Sequence, residues 1–346
     1  MTTGQMNLLE PWVLLRVASG LVACLLFARG ATTAQKVLRH FDVKRATEGQ
    51  LALEKQIELG ATFVRIGAVV QVLALALSVL GADRMSRGVR GAMCAYGVFA
   101  ANEWGFRSLA VTAGVALVAG VLTQVYAFDT RVRALDLARP LAYLTLAMFP
   151  LSLLDLASAA KFLGKLDLTA VASCCSVQLD PVTAAGEGFA SGPRVLVTVL
   201  ALLGTCASIG VALLAARSPT KSWIVAAGAI SLLALPAAVA ASVLEVAPHV
   251  FEVPHHVCPF CLLRTDVYAI GYPLYGALFL ATLWAAGAGL SALLARGPAA
   301  SAALAPFARI ALRRGAVAWA LALVIATVPI VRFAVVSGGA SLFQAP

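Results

Sequence analysis

Eight continuous apolar stretches, each close to 20 residues or longer, constrain this 346-residue chain more than any other feature. They fall at 11–29, 62–82, 108–128, 140–159, 193–216, 222–246, 267–295 and 315–337. About 20 apolar residues let an α-helix cross the hydrocarbon core of a bilayer. Backbone polar groups in lipid must bond within the structure itself, which admits only helices or closed barrels. Barrel strands alternate apolar and polar residues, and these runs do not alternate. The reading is an all-α polytopic membrane helix bundle of about eight transmembrane helices. Composition agrees, with 61% hydrophobic and 12% charged residues, where soluble domains carry roughly 45–50% and 25%. The formal net charge of +10 then marks cytoplasmic loops. It is not the footprint of nucleic acid, because no basic stripe interleaves with aromatics. No Walker motif is present, and no G-x-G-x-x-G precedes a helix, so nucleotide chemistry has no support.

Orientation follows from charge. The first ten residues hold no Lys or Arg, so the first run reads as a retained anchor with its N-terminus outside. Arg29, Lys36, Arg39, Lys44, Arg45, Arg131, Arg133, Arg139, Arg313 and Arg314 then fall in cytoplasmic loops. Both termini lie on the outer, periplasmic side of a bacterial inner (cytoplasmic) membrane. Arg84, Arg87, Arg90 and Arg107 run against this bias. Three regions result: an N-terminal membrane region at 1–137, a four-helix region at 138–296 and a C-terminal span at 297–346. Within the first, Thr47 and Gln50 have capping-box spacing, predicting a helix that starts near 48 and runs into the second span. Residues 33–43 predict a separate amphipathic helix on the inner membrane surface. The apolar segment 91–101, which carries Cys94, is too short to span and reads as interfacial or re-entrant.

The chemistry concentrates at "HHVCPFC", residues 255–261. With this topology Cys94, Cys174, Cys175, Cys258 and Cys261 lie on the oxidising outer side, where disulfides form and persist. Cys24 and Cys206 fall inside spans and read as small buried packing residues. Cys258 precedes the seventh span, so it is expected near a helix N-terminus, where the dipole lowers a thiol pKa. Adjacent cysteines rarely bond to each other, so Cys174 and Cys175 are available for exchange or for a metal.

The order of "SCCSVQLDP" after the fourth span and "CPFCLL" at the opening of the seventh resembles the vitamin K epoxide reductase-like family, over residues 140–296. That resemblance implies a four-helix bundle with a Cys-x-x-Cys beside a quinone pocket. Cys258 and Cys261 would match the active-site pair, and Cys174 or Cys175 the shuttle. The chain departs from the family in its adjacent loop cysteines, its paired histidines and its four further spans. Tyr268, Tyr272 and Tyr275 are expected on one face of the seventh span, where they line the quinone pocket or form an aromatic belt.

Two other readings stay open. His255, His256, Cys258 and Cys261 form a copper or zinc ligand set, because thiolate and imidazole suit both metals; the chain would then serve metal handling or metalloenzyme maturation. Otherwise Cys258 or Cys261 bonds to Cys174 or Cys175 as a staple, and the chain is a non-catalytic subunit of a membrane complex with structural disulfides. The partners are the lipid bilayer and either a membrane quinone or a periplasmic redox or metal-carrying protein. A bis-His haem is not expected, because His40 lies on the inner side and His249 at the outer rim. Arg16, Arg65, Asp155, Glu245 and Arg332 fall in or at the ends of spans, where charges are costly and paired. Arg332 is expected to pair with Asp155 or Glu245.

Overall fold

A computed structural model describes residues 10–42, 47–89, 92–132, 136–166, 192–254 and 256–343. Cys174, Cys175, Asp180 and His255 lie outside the described residues. The described chain is all-α, with no strand among its residues. Its helices are α1 (Pro11–His40), α2 (Glu48–Met85), α3 (Ala95–Ala100), α4 (Gly105–Asp129), α5 (Ala138–Gly164), α6 (Gly192–Arg217), α7 (Lys221–Ala241), α8 (Ala247–Phe251), α9 (Gly271–Leu294) and α10 (Pro298–Val336). All but α3 and α8 are long and apolar enough to cross a membrane, giving the eight spans of a multi-pass membrane protein. Large apolar side chains such as Leu73, Leu203, Leu233 and Val335 are exposed on these helices, as lipid-facing positions require.

The N-terminus of α2 forms as its residues dictate. The Thr47 side chain accepts a hydrogen bond from the Gln50 backbone N–H at 3.3 Å. Gln50 does not close the box, since its Oε1 accepts from the Asp42 backbone N–H at 3.4 Å. The separate surface helix expected over 33–43 does not form. No proline follows Arg29, and α1 runs unbroken through Gly30 to His40. Its apolar residues Ala34 and Val37, followed by Phe41, pack on Leu53 of α2 and on Ala138 and Ala142 of α5 instead of on lipid. Likewise α10 begins well before the expected 315, and passes Pro306, as transmembrane helices tolerate.

The chain divides into two compact units. The first comprises Met1–Ser173 with Leu290–Ala305. In it α1 packs on α2 and α5, α4 packs on the same two helices, and α3 lies against α2 and α4. The four long helices thus close a ring around a polar centre. Arg16 Nη2 donates to Asp155 Oδ1 at 2.7 Å and Arg16 Nε to Ser78 Oγ at 2.6 Å. Gln71 Nε2 donates to Asp155 Oδ2 at 2.9 Å, and the Thr112 hydroxyl donates to Asp155 Oδ1 at 2.5 Å. Asp155 is fully buried and Arg16 almost so. Each of the four helices contributes a side chain to this centre.

The second unit comprises Cys174–Gly289 with Pro306–Pro346. Its core joins Ala234 of α7, Leu274, Ala277 and Leu278 of α9, and Trp319 of α10. The buried Trp319 Nε1 donates to Ser231 Oγ at 2.8 Å. Helices α7 and α9 touch backbone to backbone at Gly228 and Gly289. A Cβ on Gly228 would lie 3.0 Å from Ala285 O and 3.2 Å from Gly289 Cα. Small residues at such contacts let helices approach closely in lipid.

The expected Arg332 pairing is overturned. Asp155 is taken by Arg16, Glu245 by Arg194 at 3.2 Å, and Arg332 reaches Glu252 at 3.6 Å in an exposed pair. Neighbouring helices supplied nearer cations than the chain's last span. Cys206 is also exposed rather than buried, while Cys24 is buried as expected. Removing one member of a buried pair costs roughly 3–5 kcal/mol, whereas replacing both with apolar residues is often neutral. Asp155→Leu should therefore destabilise the protein strongly in mixed-micelle unfolding, and Arg16→Met/Asp155→Leu should recover most of the loss. An Asp155→Leu protein as stable as the parent would show that the pair holds nothing.

Candidate functional site

The Cys-x-x-Cys lies in the loop between α8 and α9. Helix α7 does not stop at Ala241; it passes through a π-helical turn, Ser242–Val246, into α8. Such turns carry one extra residue and recur at functional sites. Here the turn carries Ser242 and Glu245. Helix α8 ends at Glu252, whose φ of 55° is left-handed. The chain then reaches Cys258 and makes two 3₁₀ turns, Cys261–Leu263 and Thr265–Val267. Tyr268 and Ala269 follow with φ of 58° and 50°. Glu252, Tyr268 and Ala269 are the non-glycine residues with positive φ among those described. Each such residue costs roughly 1–2 kcal/mol, so among the described residues this backbone strain gathers around one loop.

The two sulfurs, Cys258 Sγ and Cys261 Sγ, lie within 4.8 Å of each other. Cys258 is fully buried and Cys261 nearly so. The sequence explains why: Phe260 and Leu262, beside the cysteines in "CPFCLL", are apolar anchors, and Leu262 enters the core of the second unit. Gly271 lets α9 start directly against this loop, since a Cβ there would lie 3.0 Å from the Leu262 carbonyl carbon. The Tyr275 hydroxyl donates to the Pro259 carbonyl at 3.2 Å, and Ser242 Oγ sits 3.5 Å from that hydroxyl. A tyrosine on α9 thus joins the residue between the cysteines to the π-helical turn.

Two expectations about this loop need correction. Neither cysteine sits at the N-terminus of the spanning helix, because α9 begins only at Gly271, after both 3₁₀ turns. The three tyrosines do not share a face. Tyr268 precedes the helix and is 95% exposed, and Tyr272 is exposed. Tyr275 alone of the three turns inward to the cysteine loop. The His256 ring stacks on Phe251, with centroids 4.0 Å apart. Cys94, from the short segment expected to be interfacial, is buried at the head of α3 in the first unit.

Sequence reasoning missed a polar cluster beside the π-helical turn. Glu245 accepts from Arg194 Nη1 at 3.3 Å and from the Thr198 hydroxyl at 2.8 Å. His249 Nδ1 lies 2.6 Å from the Glu245 carbonyl oxygen. Phe343 lies over Arg194, its ring centroid 3.4 Å from the guanidinium carbon, and meets His249 edge-on. Glu245 and Ser242 also line a cavity of about 70 Å³ with Thr198, Thr205, Leu274, Leu278 and Ala322. The signal available was the lone acid of the sixth span; its partner Arg194 stood in the first turn of the fifth.

Comparison with protein-family models, with characterised proteins and with solved structures finds no match.

Losing one hydrogen bond of about 1 kcal/mol would open the loop roughly fivefold more often. Tyr275→Phe should therefore raise the maleimide labelling rate of reduced Cys258 and Cys261 by about that factor. Tyr272→Phe, an exposed neighbour, should leave it unchanged. Equal rates for both variants would show that the Tyr275 hydroxyl does not restrain the loop.

Proposed function

We propose that this multi-pass membrane protein is a thiol–disulfide oxidoreductase whose working pair is Cys258 and Cys261. The observation that carries the reading is the placement of two buried sulfurs within 4.8 Å of each other in a Cys-x-x-Cys loop. A disulfide requires about 2.05 Å between sulfurs, so a small closure of the loop converts the dithiol to a disulfide. Each oxidation forms one S–S bond and releases two protons and two electrons. A membrane quinone would accept both and leave as hydroquinone. A partner oxidoreductase would instead take them through its own disulfide, by exchange. Cys174 and Cys175 would pass the oxidation on to a substrate dithiol. Burial of Cys258 favours a small lipid-soluble acceptor over a dissolved thiol. The strained, left-handed residues around the loop support a segment that moves during exchange. The likeness in layout to the vitamin K epoxide reductase-like family points the same way, and the reading would put the protein in a bacterial inner membrane with the loop and both termini on the periplasmic side.

A second reading keeps the same sulfur pair as ligands to copper or zinc, joined by His255 or His256. Two thiolates at this spacing fit one ion, with Zn–S bonds of about 2.3 Å. They supply two of the four donors that a structural zinc site takes.

One experiment separates the readings: oxygen-free purification, metal analysis, and a quinone-dependent assay of disulfide formation in a reduced test peptide. The relay predicts a metal-free protein whose turnover falls to background in Cys258→Ser and in Cys261→Ser, and survives His256→Ala. Stoichiometric copper or zinc, lost in Cys258→Ser/Cys261→Ser, would replace the relay with the metal site. Metal-free protein without turnover would reject both.

A further inference from the structure

We propose that Trp104, Arg107 and Lys161 form a binding site for the phosphate headgroup of an anionic phospholipid. The site belongs to the first unit alone and is independent of the cysteine chemistry. It gives a role to Arg107, one of the four arginines between 84 and 107.

Helix α4 starts at Gly105 and α5 ends at Gly164, and Asn102 Nδ2 ties the two ends together by donating to Phe162 O at 3.1 Å. Trp104 stands where they meet. Two cations converge on its indole: Lys161 Nζ lies 4.6 Å from the ring centroid and the Arg107 guanidinium 5.7 Å. Both side chains are exposed, and neither makes a direct ion pair with a carboxylate among the described residues, though the Arg107 charge acts on Glu103 from a distance. Among the described residues, the acidic groups at this end are Glu103 and Asp83. Glu103 is engaged by Lys165 Nζ at 3.1 Å, and that hydrogen bond holds its carboxyl below the usual range. The Glu103 carboxylate also accepts the indole N–H at 3.0 Å, which fixes the ring for the two cations. Arg84 and Arg87 lie at the end of α2, whose last turn shares a small cavity with Phe99, Phe162 and Leu163. Among the described residues, Arg84, Arg87, Arg107, Lys161 and Lys165 therefore outnumber Glu103 and Asp83.

The chemistry selects the ligand. A guanidinium presents a planar fork that matches phosphate oxygens, and a lysine adds a compact second charge. Trp at the mouth of a spanning helix sits at headgroup depth. Phe106, beside the site and 40% exposed, offers an apolar surface to the acyl chains. Basic pockets at span ends bind anionic headgroups by this combination. A free phosphate would use the cations and gain nothing from the aromatic residues.

The test is native mass spectrometry of the full chain in non-ionic detergent, titrated with phosphatidylglycerol or phosphatidylcholine. Phosphatidylglycerol should bind more tightly. Arg107→Gln and Lys161→Gln should each weaken it about fivefold and together roughly thirtyfold. Lys36→Gln, an exposed lysine elsewhere in the same unit, should have no effect. Because surface variants leave the core intact, thermal unfolding of all variants should match the parent. Trp104→Leu supplies an independent check, lowering affinity with both cations kept. Equal affinity for the two lipids, or unchanged binding by Arg107→Gln/Lys161→Gln, overturns the proposal. Displacement of the lipid by inorganic phosphate at equal concentration also overturns it, since the site would then read phosphate alone.

Discussion

A polar side chain carried into a hydrocarbon-facing bundle has no water to fall back on, and must be met by a neighbouring helix. Asp155 shows what this demands. Its two oxygens receive hydrogen bonds from Arg16, Thr112 and Gln71, residues on three other helices. The packing order of the first unit is a consequence, because the ring α1–α2–α4–α5 is the one that brings those donors inward. The second unit solves the same problem twice on a smaller scale, with Trp319 on Ser231 and Arg194 with Thr198 on Glu245. Tyr126 and Thr145 meet in the same way between α4 and α5, and small residues let α7 and α9 approach at Gly228 and Gly289.

The cysteine loop is held within the second unit by other means. Its position is not set by a helix N-terminus, as the spacing in the sequence suggested, but by three links. Phe260 and Leu262 are buried. Gly271 allows backbone contact. Tyr275 reaches back to Pro259. A loop held by side chains and strained at three residues can move as a unit when one link is released, whereas a helix terminus moves only with its helix. That distinction suits a pair that must meet another thiol or an acceptor.

Much of the fold was legible because its signals are long or local. A 20-residue apolar run needs no neighbour to be recognised, and Thr47 caps α2 through a residue three places on. What could not be read was set by neighbours distant in sequence. Arg16 and Asp155 stand 139 positions apart, so their pairing depends on helix order, which no local pattern encodes. Arg332 was assigned to the wrong acids for that reason. The end of α1 was misplaced because its amphipathic stripe reads equally well as membrane-facing or protein-facing. The start of α9 was misplaced because Tyr268 and Ala269 adopt left-handed backbone without the glycine or asparagine that announces it. The sulfur pair was legible at once; the tyrosine that braces it was one of three equal candidates until the helix register was known.

The π-helical turn at Ser242–Val246 has a consequence for how this chain tolerates change in length. In a regular helix each residue rotates the next by about 100° around the axis, so one added or lost residue swings everything beyond it. The wide turn instead absorbs its extra residue in place. Deletion of a single residue within it would restore a regular helix and leave His249 and the approach to Cys258 facing as they do. The same deletion in the regular part of α7 would swing them around the helix axis, so the turn is the one place in this helix where length can change without moving the sulfur pair.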